Sequence, residues 1–193
     1  MTVLTEPRPT PLPFTLELAL TVEEEGWDKI FSAPEAEIVT FAALSHLDLP
    51  ERAIPGAVVE VSIVLTNDAA IQKLNLAYRG KDTPTNVLSF PDTELSEAEL
   101  RTAAALEEPL LLGDIVMARE TLMREAKKQE KALSDHLAHL LVHGLLHLVG
   151  YDHIEDNEAE EMERLEIAIL ETMNIANPYE TSLSARETTG DAG

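Results

Sequence analysis

The residues best suited to chemistry are histidines, and five of the six lie within eighteen residues of one another. Residues four apart project from the same face of an α-helix, so His143 and His147 would lie one turn apart on a common face. Gly150 follows where a left-handed residue would end that helix and reverse the chain. The reversal would bring the imidazole of His153 toward the other two. The spacing therefore predicts a metal ion held by His143, His147 and His153.

Three histidines fit a catalytic zinc site better than a structural one. Structural zinc is usually enclosed by four protein ligands, whereas catalytic zinc keeps one position open. We therefore expect one Zn²⁺ ion with three histidine ligands and a water. The chain has no cysteine, which excludes thiolate ligands, disulfides and a cysteine nucleophile. His136 and His139 precede the cluster, and we expect them to hydrogen-bond around the site or to pack in the core.

The residue after the first histidine discriminates between two kinds of hydrolase. Zinc peptidases with this spacing place a glutamate there as the general base, and here the position is Gly144. A metal can lower the pKa of water without a carboxylate partner. The sequence therefore disfavours peptide cleavage by the usual mechanism. A zinc peptidase that takes its base from Asp114, Asp152 or Glu155 stays open as an alternative.

Three separate motifs resemble the YbeY family of bacterial rRNA maturation factors, which are single-strand endoribonucleases with a zinc site. The first occupies residues 143–153, reads HGLLHLVGYDH, and continues as IEDNEAEEM in residues 154–162. The second is LNLAYRGKDTPTNVLSFP in residues 74–91, and the third is Gly113-Asp114-Ile115. Their order and spacing match the family over roughly residues 14–180. The departures are a proline-rich leader, an acidic segment and a polar tail, all outside the motifs.

The resemblance implies a function and assigns roles to residues. It implies a zinc-dependent phosphodiester hydrolase for single-stranded RNA, acting on the 3′ end of small-subunit rRNA and in ribosome quality control. It makes His143, His147 and His153 the zinc ligands, and Arg79 the arginine linked to activity. The implied partners are rRNA, the small ribosomal subunit with its proteins, and a ribosome-associated GTPase. A non-catalytic, metal-stabilised assembly factor that docks on this subunit remains a further alternative.

The side chain of Arg79 has chemistry that suits a phosphodiester. A guanidinium presents a planar fork of donors that fits two phosphate oxygens. In a turn beside the metal, it could hold the phosphate and offset charge that develops in the transition state. The alternative is a surface arginine paired with Asp82 or a neighbouring carboxylate.

Other polar residues in the motifs have two interpretations each. Asp114 either orients a metal-binding histidine or caps the end of a strand. Asp152 either stabilises the turn before His153 or helps to position water. Three more residues could line a groove, but turn chemistry and strand packing explain them equally well: Thr85, Asn86 and Ser89.

Hydrophobic periodicity predicts the elements that must position these residues. A period of two indicates strands, and spacings of three and four indicate helices. We predict strands at 14–20, 59–65, 87–90 and 110–117, and helices at 35–47, 68–78, 119–130, 133–149 and 156–173. The acidic, alanine-rich segment 92–109 is expected to be an exposed excursion with a turn of helix. The elements predict an α+β fold, in which a small mixed β-sheet packs against several α-helices and the metal site lies on a helix and the turn after it.

Composition bounds the domain organisation and the partners. The 193 residues are 45% apolar and 26% charged, which is typical of a soluble globular protein. We predict a flexible leader at 1–13, a single domain at 14–180 and a disordered tail at 181–193. A net charge of −22 argues against non-specific binding to phosphates, although eight of the 14 cations lie in residues 73–81 and 119–131. We find no signal peptide or membrane segment, and expect a cytoplasmic protein.

Overall fold

Four strands and six α-helices make up the part of the chain that the structure, a computed structural model, describes: residues 11–153 and 155–180. The strands are β1 (Thr15–Val22), β2 (Val58–Thr66), β3 (Val87–Pro91) and β4 (Leu110–Ala118). The helices are α1 (Ala33–Leu44), α2 (Asp68–Arg79), α3 (Glu97–Leu106), α4 (Arg119–Lys128), α5 (Leu133–Leu148) and α6 (Asp156–Thr172). A short 3₁₀ helix at Trp27–Lys29 precedes α1.

The strands form one mixed sheet in the order β1-β2-β4-β3. The pairs β1–β2 and β2–β4 are parallel, whereas β3 runs antiparallel to β4 and forms one edge. The predicted fold class, a small mixed sheet with several helices, is therefore confirmed.

Helix α5 lies at the centre of the main core. Leu137, Leu141 and Val142 are fully buried, and the helix packs on β3 and β4 as well as on α1, α4 and α6. On the other face of the sheet, Ile71 of α2 belongs to a smaller cluster with Leu88 and its neighbours. This arrangement sets α5 beside the edge strand β3, with α2 on the far side of that strand.

A bulge in β4 allows β3 to approach closely. The register between β2 and β4 shifts so that Leu112 is the extra residue before Gly113. Gly113 has a φ of 138°, and a Cβ there would lie 2.3 Å from the carbonyl oxygen of Phe90 on β3. Only glycine fits this conformation and this contact.

The acidic excursion contains more helix than predicted. Helix α3 spans ten residues, and the Ser96 hydroxyl accepts a hydrogen bond from the backbone N–H of Glu99 at 3.3 Å as its N-cap. Leu100 is completely buried and belongs to the main core. One buried leucine and a capped first turn thus order a segment that was predicted to be exposed and mostly irregular.

The other predicted elements are found within a few residues of their predicted limits. Asn67 caps α2, because its side chain accepts a hydrogen bond from the N–H of Ala70 at 2.9 Å. Residues 1–10 of the predicted leader and 181–193 of the predicted tail lie outside the described residues, so the domain limits stay predictions. Within the described ranges, no helix combines the length and the apolar character needed to cross a membrane.

Candidate metal centre

The three predicted metal-binding histidines converge. His143 and His147 project from the last two turns of α5, and their ring centroids are 4.6 Å apart. Gly150 has a φ of 93° and lies in the turn that reverses the chain after the helix. His153 then returns to within 5.5 Å of the His143 ring and 5.1 Å of the His147 ring. One nitrogen of each histidine lies within 4.8 Å of the others, so the group could hold a metal ion.

The two helical histidines adopt the tautomer that leaves their Nε2 atoms free to bind a metal. The Nδ1–H of His143 donates to Oε1 of Glu166 at 2.8 Å, and the Nδ1–H of His147 donates to the Tyr151 carbonyl at 2.9 Å. Since both acceptors lack a proton to give, the proton of each neutral imidazole lies on Nδ1. The two Nε2 atoms then face each other 3.1 Å apart with lone pairs exposed. Nitrogens bound to one tetrahedral zinc lie about 3.3–3.4 Å apart, so the donor set fits this ion.

Burial favours the form of His147 that binds metals. Burial lowers the pKa of His147, and the neighbouring His143 lowers it further. The imidazole is therefore neutral at physiological pH, which is the state that coordinates a metal.

Glu166 is a buried carboxylate that the sequence prediction missed. It lies on α6 with a relative exposure of 1%, and it contacts both His143 and His139 at 2.8 Å. Burial by itself raises the pKa of Glu166, but hydrogen bonds from His139 and His143 outweigh it and lower the pKa to about 2. The carboxylate is therefore ionised at neutral pH. A signal existed in the sequence, because Glu166 interrupts the apolar stripe that includes Met162 and Ile169.

Tyr179 was also missed, and it closes the same hydrogen-bond network. Its hydroxyl donates to Oε2 of Glu166, and its ring packs edge-on against His139 with centroids 5.6 Å apart. Burial raises the pKa of Tyr179, and so does the adjacent Glu166, so the phenol stays protonated as a donor. The residue follows the last helix in an irregular segment, where no periodicity could have pointed to it.

The histidines line one side of a cleft of about 640 Å³ between α5 and the edge strand β3. The opposite side is formed by β3 and by the segment that leads from α2 into it. The polar side chains along this cleft include Arg79, Thr85, Asn86, Ser89, His139, His143, His147, Asp152, His153 and Tyr179. The structure thus brings Arg79 to the cleft that holds the three histidines.

Arg79 is the last residue of α2, and its side chain is exposed. Gly80 ends the helix in the left-handed conformation, with a φ of 68°. Asp82, the expected partner in the alternative interpretation, accepts a hydrogen bond from the Gln72 side chain at 2.8 Å instead. Among residues 11–153 and 155–180, no carboxylate lies within ion-pairing distance of Arg79. Its guanidinium is therefore available to an anion in the cleft.

The packing of Gly144 explains why no glutamate follows the first histidine. A Cβ at this position would lie 3.1 Å from Oγ of Ser89, 3.2 Å from Cγ2 of Ile115 and 3.4 Å from Cγ2 of Val87. The hydroxyl of Ser89 also donates to the Gly144 carbonyl at 3.0 Å. Position 144 therefore faces the sheet, and a longer side chain there would be forced into β3 and β4. The base of a zinc peptidase cannot occupy it in this packing.

Comparison with known proteins agrees with the motifs. The family model described as Endoribonuclease YbeY matches residues 24–174, which include the whole cleft apart from Tyr179. The chain belongs to the Endoribonuclease YbeY family.

Relatives in the YbeY family cover most of the chain. A protein of Paramagnetospirillum magneticum named Endoribonuclease YbeY is 46% identical over 167 residues, which are 86% of this chain and 96% of the relative. One of Parvibaculum lavamentivorans with the same name is 56% identical over 120 residues, which are 62% of this chain and 65% of the relative. The solution structure of TM1509 from Thermotoga maritima matches 91% of this chain and 100% of its own, with a TM-score of 0.52 and 22% identity. The similarity to this solution structure concerns the fold.

Two aspartates of the YbeY motifs have clear positions. Asp114 lies exposed in the middle of β4. Its neighbour Ile115 is buried on the side of the sheet that packs against α5, and successive residues of a strand point to opposite faces, so Asp114 points away from α5. It therefore neither orients a histidine nor caps a strand end. Asp152 lines the cleft and accepts a hydrogen bond from the N–H of His153 at 2.7 Å, which stabilises the turn.

His136 forms a second histidine–carboxylate pair in this member of the YbeY family. Its Nε2 lies 3.1 Å from Oε2 of Glu125, and the same oxygen accepts a hydrogen bond from Asn86 at 2.9 Å. His136 is buried and lies outside the three-histidine group. This pair therefore lies apart from the proposed ligands, whereas His139 contacts the carboxylate that touches His143.

Proposed function

We propose that this protein is a zinc-dependent endoribonuclease that hydrolyses single-stranded RNA. The observation that carries the proposal is the cleft itself, in which three imidazoles and a guanidinium without an ion-pair partner in the described part of the chain line the same space. Relatives named Endoribonuclease YbeY support the RNA substrate.

The chain's own residues would hold and orient the ion. His143, His147 and His153 are the proposed ligands, and their preference for zinc follows from three imidazole donors without a carboxylate. When bound, the ion would supply Lewis acidity toward a phosphate oxygen and would lower the pKa of a water. The hydrogen bonds at Nδ1 of His143 and His147 keep these rings from rotating and their Nε2 atoms directed at one point.

Arg79 is the proposed catalytic residue that binds the scissile phosphate. Its donor fork can contact two non-bridging oxygens at once. Charge on those oxygens increases as the phosphorus is attacked, so the contact strengthens in the transition state. The absence of an ion pair among the described residues leaves this fork free for the substrate.

The biological setting is proposed on the resemblance of the three motifs. It comprises maturation of small-subunit rRNA at its 3′ end and ribosome quality control in the cytoplasm. The proposed partners are the small ribosomal subunit with its proteins and a ribosome-associated GTPase. With a net charge of −22, the protein is expected to find its substrate through specific docking rather than through general affinity for RNA.

The test is cleavage of a short unstructured RNA by the zinc-loaded protein and by two arginine variants. Arg79→Ala should lower the cleavage rate by about 100-fold or more, the usual effect of removing a donor to developing charge. Arg101→Ala is the matched control, because it removes the same charge from α3, where Arg101 pairs with Glu97 at 2.6 Å. We expect it to cleave like the wild type.

Equal cleavage by wild type and Arg79→Ala would contradict the proposal, since it would indicate a contaminating nuclease or an arginine without a role. Cleavage of a peptide library but not of RNA would establish the peptidase alternative. Failure to cut either substrate, with metal bound, would favour the assembly factor.

A further inference from the structure

We propose that Glu166 and Tyr179 are positioning residues that fix His143 for the metal, so that the segment after α6 completes the metal centre. This inference rests on the proposed metal site but not on the identity of the substrate. It assigns a role to two residues that lie outside the histidine motif.

The two oxygens of Glu166 are divided between different donors. Oε1 accepts from Nδ1–H of His143 at 2.8 Å, while Oε2 accepts from His139 Nε2–H at 2.8 Å and from the Tyr179 hydroxyl. A carboxylate can only accept, so the contact with Oε1 keeps the His143 proton on Nδ1. The lone pair of Nε2 is thereby directed toward His147 and His153.

The donors on Oε2 hold the carboxylate in place. With Tyr179 and His139 both bound to Oε2, rotation of the carboxylate away from His143 would break three hydrogen bonds together. The segment that carries Tyr179 is itself anchored, because Nζ of Lys131 donates to the Pro178 carbonyl at 2.8 Å. The position of the His143 ring therefore depends on a contact between the segment after α6 and the loop before α5.

Packing alone gives no reason for a carboxylate at this position. Glu166 lies on the apolar side of α6 with Met162 and Ile169, where a leucine would continue the stripe. Burying a charged group costs free energy, and replacing buried polar networks with apolar residues is often neutral or stabilising. A carboxylate at 1% exposure that contacts a metal-binding histidine is the arrangement that orients such ligands in zinc sites.

The test is the zinc affinity of the full-length protein, measured by competition with a chromophoric chelator. Glu166→Gln should weaken zinc binding by about 10–100-fold, the range seen when such outer hydrogen bonds are removed. Tyr179→Phe, which keeps the ring contact with His139, should weaken it less. The matched control is Glu125→Gln, because Glu125 forms the other histidine–carboxylate pair of α5 and contacts no proposed ligand. We expect it to bind zinc like the wild type.

A second readout separates positioning from loss of folding. In nitrogen-correlated NMR spectra of the metal-free protein, His143 should be the Nδ1–H tautomer in wild type and a mixture of tautomers in Glu166→Gln.

Wild-type zinc affinity in a folded Glu166→Gln, or equal weakening of zinc binding by Glu125→Gln, would overturn the inference. If Glu166→Gln does not fold, Tyr179→Phe decides: weakened zinc binding would support the inference, and zinc binding equal to that of the wild type would contradict it. A protein that binds zinc as expected but does not cut RNA would refute only the proposed function.

Discussion

At each helical histidine of the candidate metal centre, one ring nitrogen is held by a hydrogen bond to the protein and the other is left for a ligand. The partners at Nδ1 differ, since His143 donates to the Glu166 carboxylate and His147 to the Tyr151 carbonyl. A charged acceptor makes its donor ring a stronger base than a neutral acceptor does. His143 is therefore expected to contribute more to metal binding than its neighbour one turn later.

A pH dependence of stability follows from Glu125. Burial raises the pKa of Glu125, but hydrogen bonds from His136 and Asn86 outweigh it, so that the pKa is lowered from 4.5. A carboxyl with a lowered pKa stabilises the folded state above its unfolded pKa, and this contribution is lost as the pH falls through the folded pKa. Wild type should therefore be more stable than Glu125→Gln at pH 7, with the difference shrinking below about pH 4.5.

Urea unfolding of both proteins between pH 7 and pH 3 measures this difference. Wild type and Glu125→Gln share every other titrating group. The pH dependence of the difference between their unfolding free energies therefore reports Glu125 and its partners. A difference in unfolding free energy that stays constant across this range would show that the pair has no linkage to folding.

At the scale of elements, the metal site is built from contacts that differ in sequence range. His143, His147 and His153 could be predicted, because helical spacing and one glycine turn are local properties of the sequence. Glu166 is 23 residues from His143, and its contact depends on how α6 packs against α5. Arg79 lines the cleft from the end of α2, a placement that periodicity does not reveal. Its role was predicted from the resemblance and from the fit of a guanidinium to a phosphate.

The same distinction holds for the fold. Strands and helices with strong periodicity, such as β2 and α5, were predicted nearly in full. Helix α3 was underestimated because its order depends on the burial of Leu100 in the main core, a long-range contact.

The bulge in β4 gives a prediction for this strand. Gly113→Ala should destabilise the protein by about 3 kcal/mol or more, because φ is positive and the new Cβ would collide with the Phe90 carbonyl on β3. Gly56→Ala is the control, since Gly56 also has a positive φ of 81° but its nearest neighbours lie at 4.0 Å. We expect it to cost about 1 kcal/mol from backbone strain alone. Thermal and urea unfolding compare the two, and equal losses would exclude the collision.

At the scale of the whole molecule, we expect folding and metal binding to be separable. The main core contains Trp27, Leu44, Ile63 and many other apolar side chains, and none of the three proposed ligands belongs to it. The size of this core leads us to expect a difference from zinc fingers, whose folding free energy is the metal-binding free energy. A fold of this size can be stable with the ion removed.

Chelation should abolish RNA cleavage while the metal-free protein keeps its secondary structure and a cooperative unfolding transition. The melting temperature should fall only by the stabilisation that zinc binding to the folded state provides. Addition of zinc should restore both RNA cleavage and the original melting temperature. Circular dichroism and cleavage assays on the same samples check this. Loss of cooperative unfolding on chelation would indicate that the metal is structural, which is one of the two outcomes that the assembly-factor alternative allows.

The contact at Gly144 also constrains how such a protein can evolve. Because this position is packed against Ser89, Val87 and Ile115, acquisition of a peptidase base there would require the helix to move away from the sheet edge. A substitution at this position therefore requires the neighbouring side chains of the sheet to shift by a few tenths of an ångström. A glutamate after the first histidine is thus opposed by the packing of α5 on the sheet rather than by metal chemistry.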